Sequence, residues 1–292
     1  MSTLEQVCRK LATRLPANNV AAQSASLATL WPAEFFRLPA TAFWQQATTT
    51  QRDQLLYHCA STLLREALGI ERTAMDYCAH RVLATQDALE KQVYSLTGAD
   101  EARHYHWLCS IADPATIAAE PDSFTRFLQR LVAEGSPHTQ SYLLQIILEG
   151  WGIHHYQRLA RHANDAAVSA VMNGIAQDEA LHYAAGVAHF DAARLDEAER
   201  GFVRAALAEL CAMLACGPLS VLGVVEAVAG GFDDATRLQT LVALAEPAQT
   251  EEKLQQLARY ISHSGMEAEA DWLAKQGLLS PMPAEMGLRY YG

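Results

Sequence analysis

The apolar residues of this chain recur mainly every three to four positions, which is the spacing that forms one face of an α-helix. In residues 51–84 the positions on the predicted inner face are Leu64, Ala67, Leu68, Glu71, Ala74, Met75, Cys78 and Val82. Most glycines and prolines stand between such stretches, where they interrupt helices. The pattern therefore predicts an all-α protein.

Four of the helical stretches have the length and order of a four-helix bundle. They are residues 51–84, the segment from the turn Thr85-Gln86-Asp87 to about 112, the segment opened by Gly135-Ser136-Pro137, and residues 164–193, with a short helix at 122–134. The bundle is thus expected over residues 51–193. Residues 1–50 are expected to form a helix over 3–15 and an aromatic wrapping arm, and residues 194–292 a helical extension packed on the bundle within one compact domain.

Two Glu-x-x-His tetrads are each preceded, thirty residues earlier, by a lone glutamate. The first set is Glu71, Glu101 and His104, and the second set is Glu149, Glu179 and His182. Residues three apart lie on one helix face, so the Glu and His of a tetrad can hold one ion. Thirty residues fit two antiparallel helical legs of about 22 Å each, which returns the lone Glu to the level of its tetrad. The repeated set predicts a dinuclear metal site.

Alternatives to this interpretation exist for single residues. One Glu-x-x-His tetrad alone is common on exposed helices, and it is the duplication with equal offsets that indicates a metal site. Glu66 competes with Glu71 as the first ligand, and the equal spacing favours Glu71.

The pattern over about residues 51–192 resembles the ferritin-like di-iron carboxylate superfamily, without pointing to one member. The resemblance implies a ferritin-like bundle that binds two iron ions, one held by each set of ligands. Manganese, or a mixed Mn/Fe pair, would suit the same ligands. It also implies that Asp100 and Asp178, each directly before a tetrad Glu, hydrogen-bond a ligand His, most naturally on the opposite helix.

Two departures separate this chain from individual families. Arylamine N-oxygenases carry an extra His one turn before the second tetrad, where this chain has Ile175. The radical Tyr of ribonucleotide reductase would fall at Leu108. Both exact chemistries are therefore disfavoured.

By class, the resemblance implies an O₂-activating oxygenase or oxidase acting on a small organic substrate. Hydroxylation, N-oxygenation, desaturation and oxidative cleavage all remain open. Electrons would come from a separate reductase or ferredoxin, because no redox-carrier motif occurs in this chain. Two alternatives are a ferroxidase, for which iron itself is the substrate, and a non-catalytic helical scaffold.

The segment around Glu149 has unusual residues for the middle of a helix. Gly150 and Gly152 each cost about 1 kcal/mol relative to Ala there. They would open space for substrate or O₂, permit a local π-bulge, or allow close helix packing. His154 and His155 stand off the ligand face and are expected at the surface or an interface.

Charge and cysteine content limit the classes of partner and the cellular location that are expected. The chain carries 22 Lys and Arg against 33 Asp and Glu, a formal charge of −11, and no basic stripe. Nucleic acid and membranes are therefore not expected as partners. Six cysteines without C-x-x-C spacing indicate reduced thiols, and a cytoplasmic location is expected because no signal or membrane span is evident. A homodimer through the C-terminal extension is a further expectation.

Overall fold

A computed structural model describes residues 26–112 and 121–290, together with the isolated positions 3 and 6. Throughout these ranges every regular element is helical and no strand occurs. The prediction of an all-α protein is confirmed. The helix expected over residues 3–15 lies almost wholly outside the described residues.

The helices follow the predicted order closely. The bundle consists of α1 (Thr49–Ala84), α2 (Ala88–Ile111), α3 (Ser123–Glu134), α4 and α5 (Ala166–His189). Helix α4 is continuous through three segments, Pro137–Gln140, the π-helical Ser141–Leu148, and Glu149–His162. The C-terminal extension contains α6 (Glu197–Ala215), α7 (Leu219–Ala229), α8 (Asp234–Leu244), α9 (Pro247–His263) and α10 (Glu267–Lys275), followed by the short helix Ala284–Gly287.

Side-chain caps explain where the bundle helices begin. Thr48 forms a capping box with Gln51 at the start of α1, and Asp87 accepts two backbone N–H bonds at the start of α2. Ser136 caps α4, with Pro137 in the first helical position where its missing N–H costs nothing. The predicted helix boundaries at Thr85-Gln86-Asp87 and Gly135-Ser136-Pro137 are therefore confirmed.

The fourth bundle helix ends earlier than the sequence pattern predicts. It was expected to reach residue 193, whereas α5 ends at His189 and Phe190 is extended. Asp191 then caps a separate 3₁₀ turn, Ala192–Arg194. A capping side chain at this point competes with helix continuation, which is why the apolar periodicity alone overestimates the length.

Helix α1 packs along α2, α4 packs along α5, and α2 contacts α5. The α4–α5 approach depends on Gly186, because a Cβ there would lie only 2.8 Å from the Cβ of Gln145 in the π-helical segment. A larger residue would push the two helices apart. The four helices that carry the tetrads and the lone glutamates thus share one interior.

The flanking segments cover this bundle. Trp31 of the N-terminal arm is buried and donates its Nε1–H to the carbonyl of Leu159 at 3.0 Å. Helices α6, α9 and α10 share an apolar core with α3 and α4, and α7 packs on α1. The extension therefore forms one side of the bundle interior.

Within the described ranges, no single helix is long and apolar enough to cross a membrane. Only α6 and α7 taken together, across a 45° bend, reach the required length and composition.

Candidate metal centre

The six residues singled out by the tetrad pattern come together inside the bundle. Helix α1 supplies Glu71, α2 supplies Glu101 and His104, α4 supplies Glu149, and α5 supplies Glu179 and His182. Their potential ligand atoms form two groups, one of Glu71, Glu101, His104 and Glu179 and one of Glu101, Glu149 and His182. Glu149 keeps 12% of its side chain exposed, and the other five residues are buried.

Glu101 and Glu179 lie between the two histidines. Glu101 Oε2 is 3.3 Å from His104 Nδ1, and its Oε1 is 3.0 Å from His182 Nδ1. Glu179 likewise directs Oε1 toward His104, at 3.9 Å, and Oε2 toward His182, at 3.8 Å. Each of these carboxylates therefore presents one oxygen to each half of the cluster, which is the arrangement of a bridging ligand.

Glu71 and Glu149 lie at the two ends of the cluster. Glu71 Oε2 is 3.3 Å from His104 Nδ1, and Glu149 Oε2 is 3.7 Å from His182 Nδ1. One terminal Glu and one His thus lie on each side of the two central carboxylates, of which Glu101 belongs to both ligand groups and Glu179 only to that of His104. Glu66, the sequence alternative to Glu71, lies outside both ligand groups.

The opposite ring nitrogens of the histidines face aspartates across the bundle. His104 Nε2 is 2.9 Å from Asp178 Oδ2, and His182 Nε2 is 3.4 Å from Asp100 Oδ2. These are the opposite-helix contacts expected from the resemblance. A carboxylate that accepts from Nε2–H leaves Nδ1 deprotonated and directed at the cluster, which fixes the ligating tautomer.

Arg103 links the two aspartates on the outer side of the cluster. Its Nη2 lies 2.6 Å from Asp100 Oδ1 and 2.6 Å from Asp178 Oδ2. The guanidinium also stacks 5.2 Å from the ring centroid of Trp107. One cation thus pairs with two buried carboxylates and holds both in place for the histidines.

Burial and mutual contacts set the protonation of the cluster. Burial alone would lower the pKa of His104, but hydrogen bonds with Glu101 and Glu71 outweigh it and raise the pKa to about 9. Burial alone would also lower the pKa of His182. The negative charge of Glu101 and the contacts with Asp100 and Glu101 outweigh burial and raise the pKa of His182 well above its usual range. Burial raises the pKa of Glu71 to about 8. Without metal, these groups therefore retain protons at neutral pH.

Two buried atoms in the cluster test whether it fits a metal ion. Glu101 Oε1 and His182 Nδ1 are both inaccessible to solvent, and they face each other at 3.0 Å without the geometry of a well-formed hydrogen bond. Buried polar atoms normally form such bonds, so this oxygen and this nitrogen are both directed at a position that an ion could occupy. Carboxylate oxygens and imidazole nitrogen are suitable ligands for iron, manganese and related ions. The donor set therefore fits a metal, although it does not select one.

A cavity of about 370 Å³ adjoins the four cluster carboxylates. Most of its wall is apolar and comes from α1, α3, α4 and the C-terminal extension, with Phe124, Leu148, Trp151 and Leu214 as examples. Pockets of this size and composition are typical of small-molecule sites. A ligand in this cavity would therefore lie directly beside the cluster.

The two glycines beside Glu149 have different environments. Gly152 lines the cavity, and a Cβ there would lie 3.7 Å from Glu179, in ordinary contact. Gly150 faces away, where a Cβ would come within 2.9 Å of the Tyr260 ring and 3.2 Å of Tyr183. The pocket interpretation thus describes the surroundings of Gly152, and the close-packing alternative describes those of Gly150.

The π-helical segment and His155 also differ from the sequence expectations. The π-helix covers Ser141–Leu148, directly before Glu149, rather than the glycines themselves. A π-helical turn changes the register of a helix and is frequent at functional sites. His154 is exposed, as the prediction of a surface or interface position expects, whereas His155 is partly buried and lines the cavity.

Tyr156 is a site residue that the sequence pattern did not indicate. It is buried on α4, one residue after His155, and its hydroxyl donates a short hydrogen bond to Glu71 Oε1 on α1. Its position seven residues after Glu149, two helical turns on the same face, is the only sequence signal that points to it. The contact fixes the orientation of the Glu71 carboxylate.

Loss of the aspartate behind His104 is expected to weaken metal binding. Asp178→Asn removes the charged acceptor 2.9 Å from His104 Nε2, so the ring loses its preferred tautomer. Removal of such an outer partner typically costs about 10–100-fold in metal affinity. Competition with a chelator measures the change, with Asp76→Asn, an exposed aspartate on α1, as the control. Equal affinities of the two variants would contradict a role for Asp178.

Comparisons of the chain with protein-family models, with curated proteins and with solved structures found no match. What the structure establishes is an all-helical protein with a buried cluster of four glutamates and two histidines that can hold a metal ion.

Proposed function

We propose that this protein is a ferritin-like di-iron oxygenase or oxidase that uses O₂ to oxidise a small organic substrate. The observation that supports it most directly is the placement of Glu101 and Glu179, each with one oxygen toward each histidine, at the floor of an apolar cavity. A purely structural metal would not need an adjoining cavity of about 370 Å³. Mn or a mixed Mn/Fe pair is compatible with the same ligands.

The residues of the cluster would either hold the metal pair or orient the residues that hold it. Glu71, Glu149 and the two histidines would hold the ends of the metal pair, while Glu101 and Glu179 would bridge it. A bound pair of ferrous ions would supply two electrons to O₂. Asp100, Asp178 and Arg103 would keep both imidazoles oriented, and Tyr156 would keep Glu71 in place.

The cavity would provide the second requirement of such chemistry, a dry space next to the metals. Its walls include Ile70, Leu148, Trp151 and Met213, which present few groups that bind water. Exclusion of water strengthens electrostatic interactions within the site and protects reactive species from side reactions. Electrons for further turnovers would come from a separate reductase or ferredoxin.

Anaerobic iron loading followed by oxygen exposure tests the proposal. Metal-free protein is titrated with Fe(II), the bound metal is counted, and the protein is mixed with O₂ while its visible spectrum is followed. We expect about two irons per chain and a transient visible absorption. Glu66→Gln, which changes a cavity carboxylate outside both ligand groups, is expected to keep the same stoichiometry.

Two other results would contradict the proposal in different ways. Iron uptake well beyond two ions per chain, with growth of a ferric mineral, would establish a ferroxidase instead. Failure to bind metal stoichiometrically would leave a helical scaffold without the proposed centre.

A further inference from the structure

A second cavity, of about 330 Å³, adjoins the first. Glu66 of α1, His155 of α4, and residues of α6 and the following turn line both cavities, so the two share a wall. Beyond this wall the second cavity is lined by Arg37 of the N-terminal arm, Arg158 of α4 and Lys253 of α9. Three cations from three distant parts of the chain therefore converge next to the apolar cavity.

The positive charge of the second cavity is only partly neutralised by the protein. Arg37 pairs with Glu246 at 2.5 Å. Arg158 stacks on the ring of Phe35, 4.6 Å from its centroid. In the described part of the chain, neither Arg158 nor Lys253 has a salt-bridge partner. This local excess of positive charge contrasts with the formal charge of −11 of the whole chain.

The other charged groups that line this cavity are few. They are the carboxylates of Glu66 and Glu246, and burial together with Asp122 raises the pKa of Glu66 to about 7. Burial, with the charge of Arg158, lowers the pKa of Lys253. Burial, with Arg158 and Lys253, lowers the pKa of His155 to about 4. The second cavity thus holds three cations against Glu66 and Glu246, and the charge of Glu246 acts on Arg158 and Lys253 as well. The net charge of the lining remains positive, so an anion placed there would be stabilised.

The distance from the cations to the metal cluster follows from residue offsets along two helices, α1 and α4. Arg158 follows Glu149 by nine residues on α4, and Thr62, which lines the second cavity, precedes Glu71 by nine residues on α1. At 1.5 Å per residue, both helices give a separation of about 13–14 Å along the bundle axis. The two adjoining cavities therefore lie end to end, with the metal cluster near one end and the cations near the other.

We propose that the chain binds an elongated organic anion, with its anionic group held by Arg158 and Lys253 and its apolar body in the first cavity. That this ligand is the substrate rests on the proposed oxidase function, while the binding site does not depend on it. Carbon–carbon bonds of about 1.5 Å advance about 1.25 Å each in an extended chain, so about ten bonds connect the two ends. The neutral imidazole of His155 would lie beside the middle of the ligand.

Calorimetric titration of metal-free protein with decanoate, decyl phosphate and decan-1-ol tests this site without involving the metals. We expect both anions to bind more tightly than the alcohol. Lys253→Met, which keeps the apolar stem of the side chain, is expected to weaken anion binding by about tenfold or more and to leave alcohol binding unchanged. Lys275→Met, at an exposed position on α10, is the matched control. The tighter of the two anions identifies the head group.

Two results would overturn the proposal. One is that the alcohol binds as tightly as the anions, and the other is that Lys253→Met and Lys275→Met have equal effects. Arg158→Met gives a second, independent variant, with thermal unfolding and circular dichroism as the check on folding. Because these titrations use metal-free protein, a failure here leaves the iron-loading result intact, and a failure of iron loading leaves the anion site intact.

Discussion

Replacement of Glu101 by glutamine is expected to abolish stoichiometric metal binding at both positions of the cluster. Glu101 belongs to both ligand groups, and its two oxygens face different histidines at 3.3 and 3.0 Å. The amide keeps the shape of the side chain but loses the negative charge that two cations would share. Because loss of an outer partner alone costs about 10–100-fold in affinity, loss of a shared ligand should exceed about 100-fold at each position.

A comparison with Glu149→Gln sharpens this prediction. Glu149 belongs to only one ligand group, so this variant is expected to lose one metal and retain the other. Metal content after gel filtration, measured by elemental analysis, should fall from about two per chain to one for Glu149→Gln and to none for Glu101→Gln. If both variants lost the same amount of metal, Glu101 would not be a bridging ligand.

The residues of the candidate metal cluster were predictable from the sequence because their placement depends on helical periodicity. Glu101 and His104 share a helix face wherever the helix lies, and the duplicated offset from Glu71 brings the lone glutamate back to the same level. The positions of the turns were predictable for a similar reason, because Asp87 and Ser136 cap helices through local hydrogen bonds. Local rules therefore account for the helices and the ligand set.

Features that depend on contacts between helices were not predictable in this way. Tyr156 reaches Glu71 only because α4 and α1 face each other across the bundle. The burial of His155 depends on the C-terminal helices that close the cavity. Arg37 and Lys253 are more than two hundred residues apart in the sequence, and no periodicity relates them. The π-helical Ser141–Leu148 contains neither Gly nor Pro, so it carries no local signal.

The apparent metal affinity of the protein is expected to rise steeply with pH between about pH 6 and 8. Metal ligands must be deprotonated to bind. In the metal-free protein, His104 has a pKa of about 9 and Glu71 a pKa of about 8, so both hold a proton over this range. Each proton that a metal displaces makes the affinity rise about tenfold per pH unit while the pH is below that pKa. A rise of at least about tenfold per unit is therefore expected.

The stability of the metal-free protein should fall as the pH rises, whereas its metal affinity should increase. The raised pKa of His104 stabilises the fold fully below its unfolded pKa of about 6.5, and this contribution is lost as pH rises through about 9. The raised pKa of Glu71 acts in the same direction, because its unfolded form loses a proton above about pH 4.5 while the folded form keeps it to about pH 8. The increase in Tm on metal loading should consequently be larger at about pH 8 than at about pH 6.

Mn(II) is the suitable probe for this prediction, because it does not oxidise readily during the titration. Its affinity is measured by chelator competition at about pH 6, 7 and 8, and the Tm of loaded and metal-free protein is recorded under the same conditions. In Glu101→Gln the Tm should not respond to Mn(II) at any pH, which separates binding at the cluster from binding at surface carboxylates. An affinity that stayed constant across the range would show that the ligands are already deprotonated in the metal-free protein.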